Sequence, residues 1–147
     1  GIEATGQALE ALPLGKGHIV RLISEKQIPN KKIAFVCFGP LLYNALAVAE
    51  ELNATVLDMR FVKPLDEELL ISIARTHDAL VFVEDSAVKG GAGSACLEVL
   101  ADQNIQIESM QIGLPDEYVE HGEVNFLLDL YGLSPEKIKQ RVLARLT

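Results

Sequence analysis

The feature that most constrains this chain is a threefold alternation of short apolar runs with segments of helical spacing. The runs are residues 33–38, 55–61 and 79–83, and the first and last contain only apolar side chains. Each run is followed by apolar residues three and four positions apart, the period of a helix. Strands that are buried on both faces and alternate with helices predict an α/β fold of three layers, α/β/α, around a largely parallel sheet.

Two further segments, 18–23 and 105–111, alternate between apolar and polar residues. This is the pattern of half-exposed strands, so we expect both segments at the edges of the sheet. Two helices are expected to close the chain. Apolar residues at helical spacing between 124 and 131 mark the first, and Ser134-Pro135 marks the start of the second.

The second predicted helix has a suitable residue at each end, one at its N-cap and one at its C-terminus. Asp66 follows Pro64 and has the side chain of a good N-cap. His77 falls at the carboxyl end, where its positive form would suit the helix dipole.

Length and composition narrow the class of protein. The chain has 147 residues, which suits one domain, and its net charge is −8. An acidic surface repels phosphate backbones, and aromatic residues make up only 5%, so we expect no nucleic-acid partner. The sequence contains no run of 18 apolar residues, so we expect no membrane span. Two cysteines far apart indicate a reducing compartment, and we expect a cytoplasmic location.

The sequence also suggests a division of the chain. Residues 1–17 contain four glycines and Pro13 and lack a sustained apolar period, so we expect a linker from a missing preceding domain. Residues 18–147 are then the folded domain.

The segment KGGAGS at 89–94 is the most conspicuous candidate for binding. It joins a predicted strand to a predicted helix, so its backbone N–H groups could hold an anion. It matches the dinucleotide-binding pattern only in part, because Cys96 stands where glycine or alanine is required. The other interpretation, which we favour, is that these glycines permit a tight turn and the close approach of another backbone.

Three carboxylates, Asp58, Glu84 and Asp85, lie at or near the carboxyl ends of predicted strands. Paired carboxylates can serve acid–base chemistry or hold Mg²⁺. No histidine, cysteine or lysine converges on them by spacing, and capping or hydrogen bonding between domains is the alternative that we favour.

The three histidines, at 18, 77 and 121, are far apart in the sequence, which argues against a zinc site. Only His121, in a predicted loop, is kept as a candidate. The sequence therefore predicts no catalytic, cofactor-binding or metal-binding residue.

Four motifs, in order, resemble the carboxy-terminal domain of the 1-deoxy-D-xylulose-5-phosphate synthase family. They are LPLGKG at 12–17, DMRFVKPLD at 58–66, VEDSAVKGGAGS at 83–94 and IGLPDEYVEHG at 112–122. Asp85-Ser86 and Lys89 depart from the family's usual residues. The wider superfamily of transketolases and 2-oxoacid dehydrogenase β subunits shares the fold, so the equivalent domain of such a β subunit remains an alternative.

The resemblance implies a mixed five-stranded sheet of order 1-3-2-4-5, in which strand 1 is antiparallel. It also implies a crevice where strands 2 and 4 meet, which could serve as a domain interface. The candidate residues there are Gly39, Glu84, Gly90, Gly91, Gly93, Ser94 and His121.

The resemblance further implies the activity of a parent enzyme. That enzyme condenses pyruvate with glyceraldehyde 3-phosphate and releases CO₂, using thiamine diphosphate and Mg²⁺, for isoprenoid, thiamine and pyridoxal synthesis. Its cofactor lies between the first and second domains, whose metal and diphosphate element is not in this sequence. We therefore expect a domain that docks on the missing first and second domains, supports a homodimer and is inactive alone. A stand-alone anion- or effector-binding module is the other hypothesis.

Overall fold

A mixed five-stranded sheet forms the centre of the protein. The computed structural model describes residues 13–87, 91–114 and 130–146. The strands lie in the order β1-β3-β2-β4-β5, and only β1 runs antiparallel to its neighbour. They are β1 (His18–Arg21), β2 (Ile33–Phe38), β3 (Thr55–Asp58), β4 (Ala79–Ala87) and β5 (Glu108–Leu114). The expected fold class, strand order and direction of strand 1 are confirmed.

Helices cover both faces of this sheet. Side chains of β2 alternate between the two layers, so that Phe35 packs with one helix pair and Val36 with the other. One pair is α1 (Leu42–Leu52) with α4 (Pro135–Leu146), and the other is α2 (Glu67–Thr76) with α3 (Ala92–Asp102). Within the described residues, no helix combines the length and apolar character needed to cross a membrane.

The edge strands lie where the alternating patterns placed them, but their bounds differ. β1 ends at Arg21 instead of residue 23, and β5 begins at Glu108 instead of residue 105. Ile105 and Ile107 pack against the α2–α3 layer before β5 begins, whereas Met110 and Ile112 are buried in the α1–α4 layer.

Two central strands also differ from the prediction, for local reasons. β3 ends at Asp58 instead of residue 61, because Arg60 adopts a left-handed backbone conformation with φ of 64°. β4 continues through Glu84 to Ala87, four residues beyond the apolar run 79–83 that predicted it. A register shift against β5 accompanies this extension.

The start of the closing helix is confirmed, because the Ser134 hydroxyl accepts a hydrogen bond from the Lys137 N–H at 3.3 Å. Of the helix predicted between 124 and 131, residues 124–129 lie outside the described part of the chain.

Asp66 caps α2 as predicted and also ties down the segment that precedes β1. One carboxylate oxygen accepts from the Leu69 N–H at 3.2 Å and the other from the Gly17 N–H at 2.9 Å. A Cβ added at Gly17 would lie 2.8 Å from the Asp58 carbonyl oxygen, so this segment packs closely on the end of β3. Residues 13–17, expected within a linker, thus lie against the domain.

Replacing Asp66 by alanine should destabilise the protein by about 1–2 kcal/mol, because two N–H groups lose their acceptor. Urea unfolding followed by circular dichroism measures this change. The exposed neighbour Glu67 provides the control, and Glu67→Ala should change the free energy of unfolding by about 0.5 kcal/mol or less. Equal losses in the two variants would contradict the capping role.

Candidate functional site

A cleft of about 370 Å³ opens at the carboxyl ends of β2, β3 and β4. The helix that follows β2, α1, packs on one face of the sheet, and the helix that follows β4, α3, packs on the other face. The cleft lies between these two connections, which is the usual position of ligand sites in doubly wound α/β folds. Its walls are formed by Phe38, Gly39, Arg60, Val62, Glu84, Asp85, Gly91 and Ala92. Three of the candidate crevice residues, Gly39, Glu84 and Gly91, are therefore brought together here.

One wall of the cleft depends on a glycine. Gly39 has φ of 92°, a conformation that favours glycine. A Cβ added there would lie 2.8 Å from a carboxylate oxygen of Asp85. The backbone after β2 and the exposed Asp85 side chain on β4 therefore pack without room for a larger residue.

Glu84 forms the inner wall of the cleft and is only 2% exposed. Its Oε2 atom accepts a hydrogen bond of 2.7 Å from the N–H of Ala92, the first residue of α3. Gly91, at the N-cap, makes no capping bond of its own. A carboxylate from β4 thus occupies the end of α3 where an external anion would otherwise bind.

Arg60 is a cleft residue to which the sequence reasoning gave no role. Its Nε atom lies 3.9 Å from Oδ2 of Asp58, and both side chains are partly exposed. The left-handed conformation of Arg60 ends β3 and places this residue beside the cleft. Nothing in the sequence of the run 55–61 indicates that conformation.

The glycine loop is divided between the cleft and the helix–sheet interface. A Cβ on Gly93 would lie 2.9 Å from Oε1 of Gln111 and 3.1 Å from Cβ of Phe82, so Gly93 allows α3 to approach the sheet. Ser94 is half-buried in the first turn of α3. Gly90 and His121 lie outside the described residues.

Both cysteines are buried and free. Burial raises the pKa of Cys37, with a further contribution from Asp58. Burial and then Glu84 raise the pKa of Cys96 to about 12. Neither thiol is ionised near neutral pH, which makes both unsuitable as nucleophiles.

His77 lies at the end of α2 as predicted, but the structure favours its neutral form. Burial is the main cause that lowers the pKa of His77, and the Ile73 carbonyl opposes it. Nδ1 lies 3.0 Å from that carbonyl oxygen, and Nε2 lies 2.8 Å from the Thr55 hydroxyl. The lowered pKa disfavours the positive form, which is the form that would suit the helix dipole. Across the parts of the chain that the structure describes, no three histidine, cysteine or acidic side chains form a metal-binding group.

A family model described as the C-terminal domain of transketolase matches residues 24–138. The chain therefore belongs to the transketolase C-terminal domain family. Among solved structures, a split-gene transketolase described as an inactive beta4 tetramer has a TM-score of 0.78 and 30% identity, over 95% of this chain and 45% of that chain. Transketolase from Leishmania mexicana has a TM-score of 0.59 and 13% identity, over 89% of this chain and 18% of that chain, which supports the fold alone.

Curated relatives named 1-deoxy-D-xylulose-5-phosphate synthase are more similar in sequence. The protein from Methylibium petroleiphilum is 49% identical over 97% of this chain, and that from Chromobacterium violaceum is 46% identical over 95%. A relative from Burkholderia pseudomallei is 45% identical over 97% of the chain. The resemblance to the carboxy-terminal domain of this synthase is confirmed. The chain spans 22% of the length of each of these relatives.

Lowering the pH below about 6.5 should destabilise the protein partly through His77, because the unfolded chain takes up that proton more readily. The contribution is present above the unfolded pKa and is lost as the pH falls through the lowered folded pKa. Urea unfolding at about pH 7.5 and about pH 5.5 should show a smaller loss in His77→Gln than in the unmodified protein. His18→Gln, which replaces an exposed histidine outside these contacts, serves as the control variant. An undiminished loss in His77→Gln would contradict this assignment.

Proposed function

We propose that this chain is the carboxy-terminal domain of a 1-deoxy-D-xylulose-5-phosphate synthase and that its own role is docking and stabilisation. The observation that carries the proposal is 49% identity to a synthase over 97% of the chain, of which the chain spans only 22%. The parent enzyme would condense pyruvate with glyceraldehyde 3-phosphate, releasing CO₂, to supply isoprenoid precursors. The domain would contact the other domains of its own subunit, support a homodimer and work in the cytoplasm.

The parent reaction calls for thiamine diphosphate and Mg²⁺, and the described residues do not fit that cofactor. Oε2 of the buried Glu84 is bonded to the first amide of α3, so a diphosphate there would meet a carboxylate. Asp85 adds a second acidic side chain to the same cleft. We therefore assign the cofactor to other parts of the parent enzyme and derive no step of the reaction from this chain.

The same bond bears on the alternative of a stand-alone anion-binding module. A helix N-terminus attracts anions through unpaired N–H groups and its dipole. Here an internal carboxylate already satisfies the Ala92 N–H, so the anion-binding alternative is not favoured. The 2-oxoacid dehydrogenase alternative is not favoured either, because the relatives carry the synthase name.

A chimeric enzyme tests the proposal. The matching segment of the Methylibium petroleiphilum synthase would be replaced by this chain, and the condensation of pyruvate with glyceraldehyde 3-phosphate would be assayed. We expect an active chimera, because the two segments are 49% identical and share their fold.

Two controls complete this experiment. The synthase without the segment should be inactive or unstable, and this chain alone should show neither activity nor micromolar binding of thiamine diphosphate by calorimetry. A stably folded but inactive chimera, or tight cofactor binding by the chain alone, would refute the proposed function.

A further inference from the structure

We infer that the Thr55 hydroxyl and the His77 imidazole form a pH-sensitive latch that holds the backbone at Ile23, just after β1, on the sheet. The latch is closed while His77 is neutral with its proton on Nδ1, and it opens when Nε2 takes up a proton. The three residues line one cavity of about 250 Å³ at the amino ends of the parallel strands. The inference is independent of the proposed function, because it uses only contacts within this chain.

The hydrogen bonds around His77 place its proton on Nδ1. The Ile73 carbonyl oxygen lies 3.0 Å from Nδ1 and can only accept, so Nδ1 is the donor. The Thr76 hydroxyl also lies 3.0 Å from Nδ1, but its own proton has the Ser72 carbonyl oxygen as acceptor at 3.1 Å. A neutral ring that carries its proton on Nδ1 has a bare Nε2. The Thr55 hydroxyl, 2.8 Å from Nε2, is therefore the donor in that bond.

The Thr55 hydroxyl links this arrangement to the connection after β1. Its oxygen accepts a hydrogen bond of 3.2 Å from the Ile23 N–H, while its proton goes to His77. Thr55 is fully buried, and within the described ranges no third group is hydrogen-bonded to its side chain. The two bonds form a chain in which each polarises and strengthens the other.

A second proton on His77 reverses one bond of this chain. Nε2 then becomes a donor, so its N–H and the Ile23 N–H both point at the same buried oxygen. The Thr55 proton loses its acceptor, and a buried donor without an acceptor is destabilising. The oxygen also has to serve two donors, one of them on a cation. Both changes weaken the bond to Ile23, which is the sense in which the latch opens.

The surroundings of His77 determine when the latch opens. Burial is the main cause that lowers the pKa of His77. Of the charged neighbours, Lys32 also lowers this pKa and Asp78 raises it. Glu25 is the other charged residue that lines the cavity, and it is exposed to water. The latch is therefore closed at neutral pH and opens as the pH falls through the lowered pKa of the folded protein.

The residues that follow Ile23 are held by a side chain that does not titrate. Oδ1 of Asn53 accepts from the Ser24 N–H at 2.8 Å. Its Nδ2 donates to the carbonyl oxygens of Ser24 and Gln27 at 3.2 and 2.8 Å. An amide side chain keeps these roles near neutral pH and below. The latch therefore acts locally on Ile23, and the neighbouring Ser24 amide is a control within the same molecule.

Hydrogen exchange at single amides, followed by NMR from about pH 7.5 to about pH 4.5, tests the latch. Each rate is corrected for the intrinsic pH dependence of exchange. We expect the protection of Ile23 relative to Ser24 to fall about fivefold or more, with a midpoint that coincides with the titration of the His77 ring. In His77→Gln this ratio should not depend on pH. Thr55→Ser keeps the hydroxyl and should keep the fall, whereas Thr55→Val should lower the ratio throughout.

The position of the proton gives a second readout. Long-range NMR correlations of the His77 ring should show the proton on Nδ1 above the transition. Because the closed latch stabilises the neutral ring, Thr55→Val should raise the pH at which His77 titrates, and Thr55→Ser should leave it nearly unchanged.

Three results would each overturn the inference: a neutral His77 ring with its proton on Nε2, a ratio of Ile23 to Ser24 protection that is independent of pH, or a His77 titration that Thr55→Val leaves unchanged. The first two are measured on the unmodified protein, so the test stands even if a variant fails to fold.

Discussion

The hydrogen bond between the buried Glu84 carboxylate and the Ala92 amide is the interaction on which the cleft depends. It joins β4 to the first turn of α3 over 2.7 Å, and Glu84 is 2% exposed. A hydrogen bond of this kind matters because a buried carboxyl oxygen left without any partner would cost roughly 1–3 kcal/mol. Strand, helix and cleft wall are therefore fixed together. Burial is the main cause that raises the pKa of Cys96, and Glu84 adds to it.

This bond also determines what the site can do. Doubly wound folds often use the crevice at the switch point and a helix N-terminus to hold phosphate groups. In this chain the Glu84 side chain is bonded to the N-terminus of α3, and Asp85 adds a second acidic side chain to the same cleft. The fold alone would suggest a ligand site, but the residues argue for a structural role, and function has to be inferred from the site.

Much of the fold followed from local patterns and from the family resemblance. The apolar run of β2 predicted a central strand, and the alternating segments predicted both edges. The strand order needed the resemblance, because periodicity does not specify which strands are neighbours. The extension of β4 was missed because Glu84 and Asp85 are polar and look like loop residues, although Glu84 is buried by α3.

The details of the site were less predictable, for a physical reason. Rules for helix capping consider side chains within about three residues, and they identified Asp66 correctly. The cap of α3 comes from eight residues upstream on a neighbouring strand, which no local rule covers. Burial in the folded chain is likewise the main cause of the lowered pKa of His77, and no local pattern indicates the contact of 2.8 Å between its Nε2 atom and the Thr55 hydroxyl of β3.

Phosphate binding by this chain would show directly whether the N-terminus of α3 is open to an external anion. The thermal unfolding midpoint would be followed during a titration with inorganic phosphate, with chloride at matched ionic strength as the control. Because Glu84 is bonded to the first N–H of α3, we expect no saturable rise in the midpoint beyond that seen with chloride. A saturable, phosphate-specific rise that is lost on replacing Gly91 and Gly93 would show that the glycine loop binds anions, and would contradict the structural role assigned to Glu84.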